Sequence, residues 1–75
     1  MDRRLEKLFK EVKKNIDRGT LKPFSTLAEL NAFKCCFNEL VRTGNTFFIQ
    51  KELKDVFCKY GIRVQNYGIG YKVVL

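Results

Sequence analysis

The sequence predicts a small α+β domain with the element order α-α-β-α-β-β and a three-stranded antiparallel sheet that ends in a C-terminal hairpin. Three observations predict it: apolar residues recur at helical spacing in three segments, a short β-prone run separates two of these segments, and the last residues alternate between apolar and polar types. At 75 residues the chain supports one core, so we expect one domain over residues 1–75. It divides into a basic amphipathic helix over 1–19 and a core over 26–75.

The first helix is predicted over residues 2–18. Its apolar positions fall at i, i+3, i+4, i+7 and i+11, which places them on one side of a helix with 3.6 residues per turn; they are Leu5, Leu8, Phe9, Val12 and Ile16. Asp2 suits the positive end of the helix dipole, and Gly19 suits the position after the last turn.

The second helix is predicted over residues 27–42. Thr26 and Glu29 have the spacing of a capping box, and Gly44 supplies a stop. Its apolar positions cover a broad face, which indicates a central helix that packs on more than one side; they are Leu27, Leu30, Phe33, Cys36, Phe37, Leu40 and Val41.

The remaining elements follow from shorter patterns. Residues 46–49 are a β-prone run, and residues 50–60 return to helical spacing before Gly61. Residues 62–75 alternate as a hairpin does, with turn residues at 66–70.

Two stretches of the sequence are similar to winged-helix DNA-binding domains. Residues 37–53, with the sequence FNELVRTGNTFFIQKEL, resemble the part in which a helix ends in Gly, a short strand follows, and a new helix opens with a polar-Glu-Leu sequence. Residues 68–73, GIGYKV, resemble the end of the wing in the response-regulator type of these domains. The resemblance covers about residues 37–75 and implies a winged-helix-like core and DNA binding.

One departure from the family concerns the recognition helix. Winged-helix domains place two helices between the first strand and the wing, and the second of them enters the major groove. Here residues 50–60 are the only helical segment before Gly61. The helix-turn-helix is therefore expected in a reduced form, which leaves open a use other than groove reading, such as protein binding.

Charge and composition exclude several function classes. The formal net charge is +7, from 15 Lys and Arg against eight Asp and Glu, and there is no His. Without His there is no His-based triad or His-metal site. Cys35, Cys36 and Cys58 fit neither a disulfide framework nor a CxxC pair, and we expect buried or half-buried free thiols. The sequence predicts no metal, no cofactor and no catalysis.

The strongest candidate site is a basic stripe on the first helix, nearly opposite its apolar side; it consists of Arg3, Lys7, Lys10, Lys14 and Arg18. Two further sets are predicted to bind nucleic acid. Gln50, Lys51 and Lys54 lie on the third helix, and Arg63, Tyr67 and Lys72 lie on the hairpin, with Tyr67 expected at its tip. For each set the alternative is an ordinary solvated surface.

Apolar residues are numerous for so small a chain. Leu21, Phe24, Cys36, Phe47 and Phe48 either complete the core or mark an interface, and filling of the core is the preferred interpretation.

The predicted function is nucleic-acid binding, with double-stranded DNA preferred, by a small transcriptional or replication accessory factor. The alternative is a protein-interaction module, such as a small inhibitor of the phage or mobile-element type that binds an acidic partner. RNA binding is a weaker alternative. The sequence shows no membrane span and no signal-peptide pattern, which favours the cytoplasm, and it leaves a homodimer open.

Overall fold

The computed structural model describes residues 2–75, so residue 1 of the predicted domain lies outside the described part. The elements are α1 (Arg3–Asp17), α2 (Leu27–Thr43), β1 (Asn45–Phe48), α3 (Lys51–Lys59), β2 (Val64–Tyr67) and β3 (Gly70–Val74). This confirms the predicted α+β class and the order α-α-β-α-β-β.

Helix α1 begins where the sequence predicts. Asp2 is the N-cap, and its carboxylate accepts a hydrogen bond of 2.8 Å from the backbone N–H of Arg4. Leu5, Leu8 and Val12 are buried, as expected. Phe9 and Ile16 instead remain 44% and 40% exposed. The five apolar residues share one side of the helix as predicted, but the core covers only three of them, and an open apolar groove remains beside α1.

Helix α2 has both predicted end signals, with one shift. The hydroxyl of Thr26 accepts a hydrogen bond of 3.2 Å from the backbone N–H of Glu29, while the Glu29 carboxylate accepts one of 2.7 Å from Ser25 rather than from Thr26. Gly44 ends the helix with a φ of 81°. Five side chains of α2 are buried, so the helix is central as predicted, although Leu27 and Val41 are exposed.

The sheet is antiparallel with strand order β1-β3-β2. Thr46 and Val64 both pair with Val73, on the side of the sheet that packs against the core. Phe47 and Gln65 both pair with Lys72, on the opposite side. Because side chains alternate along a strand, one face of the sheet meets the helices and the other is open.

The hairpin turn is tighter than predicted. Only Gly68 and Ile69 connect β2 to β3, whereas residues 66–70 were expected in the turn. Gly68 has a φ of 62° and Ile69 has no positive φ, which is the pattern of a type II′ turn. Tyr67 is consequently the last residue of β2, and Ile69, which is 94% exposed, stands at the tip in its place.

Aromatic rings fill the core between the helices and the sheet. Phe33 of α2 lies 5.0 Å from Phe24 and 5.9 Å from Phe57 between ring centroids, and Phe57 of α3 lies 5.6 Å from Phe48 of β1. Of the five residues weighed between core and interface, Phe24, Cys36 and Phe48 are buried and Leu21 is partly buried against the core, whereas Phe47 is exposed. Filling of the core is therefore the correct interpretation for all but Phe47.

Position 70 requires Gly because a side chain would not fit there, and not because of its backbone conformation. A Cβ at this position would lie 2.6 Å from Cζ of Phe47 and 2.6 Å from the backbone oxygen of Phe48. We expect Gly70→Ala to lower the free energy of unfolding by about 1–3 kcal/mol, the usual cost of overpacking, measured as a shift in a urea transition. In a Phe47→Ala background the loss should shrink without vanishing, because the contact with the backbone oxygen remains. Equal stability of Gly70→Ala and the unsubstituted protein would contradict this packing.

Among residues 2–75, no helix is both long and apolar enough to cross a membrane.

Candidate nucleic-acid interface

The basic stripe of α1 is exposed along its whole length. Its five cations lie on the side of the helix that turns away from Leu5, Leu8 and Val12; they are Arg3, Lys7, Lys10, Lys14 and Arg18. Fifteen residues at 1.5 Å each separate its two ends by about 22 Å. The helix and its C-cap Arg18 therefore present five cations to the solvent on one side, with the exposed acids Glu6, Glu11 and Asp17 beside them.

Two cations of α1 are engaged in salt bridges with nearby carboxylates. The ammonium of Lys10 lies 3.2 Å from the carboxylate of Glu6, one helical turn earlier, so part of its charge is compensated. Arg4 is engaged within the protein although its side chain is partly exposed: its guanidinium lies 2.8 Å from the Asp2 carboxylate and donates a hydrogen bond of 3.1 Å to the backbone oxygen of Gly61. The hydrogen bonds from Arg4 lower the pKa of Asp2 from 3.8 to about 2. Arg4 thus ties α1 to the end of α3.

The third helix offers a weaker positive surface than α1. Lys51 is exposed, but Gln50 is the half-buried N-cap of α3 and its side chain makes no capping hydrogen bond. Lys54 is half-buried, with its ammonium 5.2 Å from the ring centroid of Tyr71. Asp55 is exposed beside them. Lys54 is therefore engaged with an aromatic ring of the sheet.

The hairpin residues lie on the open side of the sheet. The ammonium of Lys72 lies 5.3 Å from the ring centroid of Tyr67. Arg63, one residue before β2, is exposed and falls on the same side by strand alternation. Phe47 of β1 completes this group, with its ring 6.0 Å from that of Tyr67 at an interplanar angle of 76°.

The predicted site residues are divided among separate surfaces. Tyr71, which Lys54 contacts, pairs with Phe48 on the helix side of the sheet, while Lys72 and Tyr67 lie on its open side. The cations of α3 and of the hairpin therefore do not form one face across the sheet. The stripe of α1 is a further surface, because it is the outward side of a helix packed on the core.

Two exposed apolar features lie outside the residues that were predicted to bind nucleic acid. The first is the exposed Phe47, which the sequence could have flagged: strand alternation puts one of the adjacent Phe47 and Phe48 on each face. The second is the groove between α1 and α2, with a volume of about 340 Å³ and an apolar floor that includes Phe9 and Ile16. Lys13 and Lys34 stand at its rim. The stacking of Phe9 on Phe37, at 5.1 Å, depends on an inter-helix contact that no local pattern predicts.

The three cysteines are distributed differently from the expectation. Cys36 is buried, and burial raises the pKa of its thiol. Cys35 and Cys58 are exposed, so the expectation that all three thiols are buried or half-buried is wrong for these two. Within residues 2–75, no three Cys, Asp or Glu side chains come together in a group that could hold a metal ion.

Comparisons with protein-family models, with curated proteins and with solved structures found no match to the chain. The resemblance to winged-helix domains therefore stays a prediction. In the structure, α3 is the one helix between β1 and β2, so the departure from the family described above is a feature of the fold.

Proposed function

We propose that the protein binds nucleic acid, with double-stranded DNA as the ligand of the α1 stripe. The observation that supports this most is the row of five exposed cations along about 22 Å of one helix, in a protein with a net charge of +7. A rod of positive charge complements the regular phosphate charge of a duplex, and such binding needs no pocket.

The proposed binding is largely independent of DNA sequence. Phosphate contacts fix position on the duplex, whereas base contacts in the grooves supply specificity. The stripe consists of Lys and Arg alone, and α3, the nearest equivalent of a reading helix, has Lys54 turned to Tyr71. We propose in addition that the protein acts as a small transcriptional or replication accessory factor in the cytoplasm, without catalysis.

A titration of labelled duplex DNA by fluorescence anisotropy tests the proposal. Four cations of the stripe remain besides Lys10, which is paired with Glu6. If each contacts a phosphate, log K should fall with log salt concentration with a slope of about −3.6, at about −0.9 per contact, between about 50 and 200 mM salt. Affinity in the micromolar range is expected. No binding at about 50 mM salt would contradict the proposal.

A second candidate function is binding of an acidic protein, and the groove between α1 and α2 favours it. The groove has an apolar floor, and Lys13 and Lys34 at its rim complement an acidic amphipathic helix. This candidate predicts that a helical peptide with Leu on one side and Glu on the other binds the protein. The substitution Ile16→Glu should weaken that binding while duplex affinity changes little. Failure of such peptides to bind at about 100 μM would remove this candidate.

A further inference from the structure

The open face of the sheet is an unpartnered surface, and it is separate from the stripe of α1. Its outward residues come from all three strands, and none is acidic; they are Asn45, Phe47, Gln65, Tyr67, Lys72 and Val74. At its centre Lys72 pairs with Phe47 on one side and with Gln65 on the other. The face therefore combines aromatic rings with positive charge.

Gly70 allows the two rings of this face to meet. Phe47 and Tyr67 belong to β1 and β2, which are separated by β3. Tyr67 pairs with Gly70, and the missing side chain at Gly70 is the space that the Phe47 ring occupies. The rings approach to 6.0 Å across the central strand, yet Phe47 is 47% and Tyr67 is 61% exposed. Their positions are fixed by the sheet while much of their surface is open to a ligand.

The positive charge of this face indicates which kind of partner can bind there. A second copy of the chain would bring Lys72 and Arg63 towards their own counterparts, in a protein that already carries +7. The complementary partner is an anion with flat rings of its own. Unpaired nucleobases on a phosphate backbone have both properties, since every base has a π-face that stacks on aromatic side chains.

We propose that the open face of the sheet is a second binding surface, which stacks unpaired bases of a single strand on Phe47 and Tyr67 while Lys72 and Arg63 contact its phosphates. The inference deepens the proposed nucleic-acid function, on which it rests for the class of ligand, and places single strands on a different surface from duplex DNA. The contacts Phe47–Tyr67 and Lys72–Tyr67 hold these side chains in position before the nucleic acid binds, which lowers the entropy cost of binding.

The test compares three ligands of about 12 nucleotides: an oligothymidylate, an oligouridylate, and an abasic strand that keeps the phosphates without the bases. Each is titrated against the unsubstituted protein and against the double variant Phe47→Leu, Tyr67→Leu, which keeps apolar bulk and removes both rings. The double variant should bind the first two strands about tenfold or more weakly and the abasic strand unchanged, with duplex affinity kept within about twofold. The two strands with bases distinguish DNA from RNA as the source of the ligand.

Phe9→Leu is the matched control, because it makes the same change at an exposed ring outside the sheet. Its affinity for single strands should equal that of the unsubstituted protein, and circular dichroism should show both variants folded. The inference is overturned if the abasic strand binds as well as the others, or if the double variant keeps full affinity. It is also overturned if sedimentation shows that the unsubstituted protein self-associates and that the double variant does not, since a second copy would then occupy the face.

The two proposals fail in different ways. Single-strand binding that depends on the rings, without any duplex binding, would remove the proposed duplex function and leave this inference intact. Duplex binding together with single-strand binding that ignores the rings would remove this inference alone.

Discussion

Replacing Arg3, Lys7 and Lys14 with Glu is expected to remove most of the affinity for duplex DNA. These cations lie on the exposed side of α1, and Lys10 is left unchanged because Glu6 already pairs with it. Loss of three phosphate contacts should weaken binding by about tenfold or more at about 100 mM salt and reduce the steepness of the salt dependence by about 2.7. Anisotropy titrations at several salt concentrations measure both quantities.

The matched control reverses three exposed lysines elsewhere, Lys22, Lys34 and Lys59. Each reversal removes two charges, so both triple variants fall from +7 to +1 in formal net charge. The control should retain a salt dependence close to that of the unsubstituted protein, because its phosphate-contacting residues are intact. Equal losses in the two variants would show that net charge alone governs binding, and the stripe would lose its special role.

Replacing Phe33 with Ala should cost a large part of the total stability. Phe33 is 1% exposed, and its ring lies within 6 Å of three other rings, those of Phe24, Phe37 and Phe57. A cavity at this position should lower the free energy of unfolding by about 3–5 kcal/mol. A domain of this size has roughly 4–11 kcal/mol in total, so the loss should be at least about a quarter of the total stability. Urea denaturation followed by circular dichroism measures the loss.

Val41→Ala is the control on the same helix. Val41 is exposed, and Ala has the higher helix propensity, so its free energy of unfolding should change by no more than about 0.5 kcal/mol. A loss below about 1 kcal/mol for Phe33→Ala would contradict the central position of Phe33 in the aromatic core.

The sequence predicted the helices and their ends well, because the signals are local. Helical hydrogen bonds join residues four apart, so Asp2, Thr26 and Gly44 report on structure within one turn of themselves. The β-prone run and the final alternation likewise predicted the strands, and with them the order of elements. The hairpin was expected at the right place with too long a turn, since Gly68 alone supplies the positive φ that the turn requires.

The basic stripe could also be predicted from the sequence. The positions from Arg3 to Arg18 repeat with the helical period, and an amphipathic helix must turn one side to water. The period alone could not assign Arg4, which donates a hydrogen bond to Gly61, 57 residues away. It also could not foresee that Phe9 and Ile16 stay open, because that depends on how closely α2 approaches α1.

What the chain encodes locally, then, is a set of helices, strands and end signals, together with the row of cations along α1. The arrangement of the sheet had to come from contacts between distant residues: β3 inserts between β1 and β2, and this places Lys72 with Phe47 and Tyr67 on the open face and Lys54 with Tyr71 on the other. The physical reason is that strand pairing joins residues far apart in sequence, and a side chain's face is set by the register of that pairing.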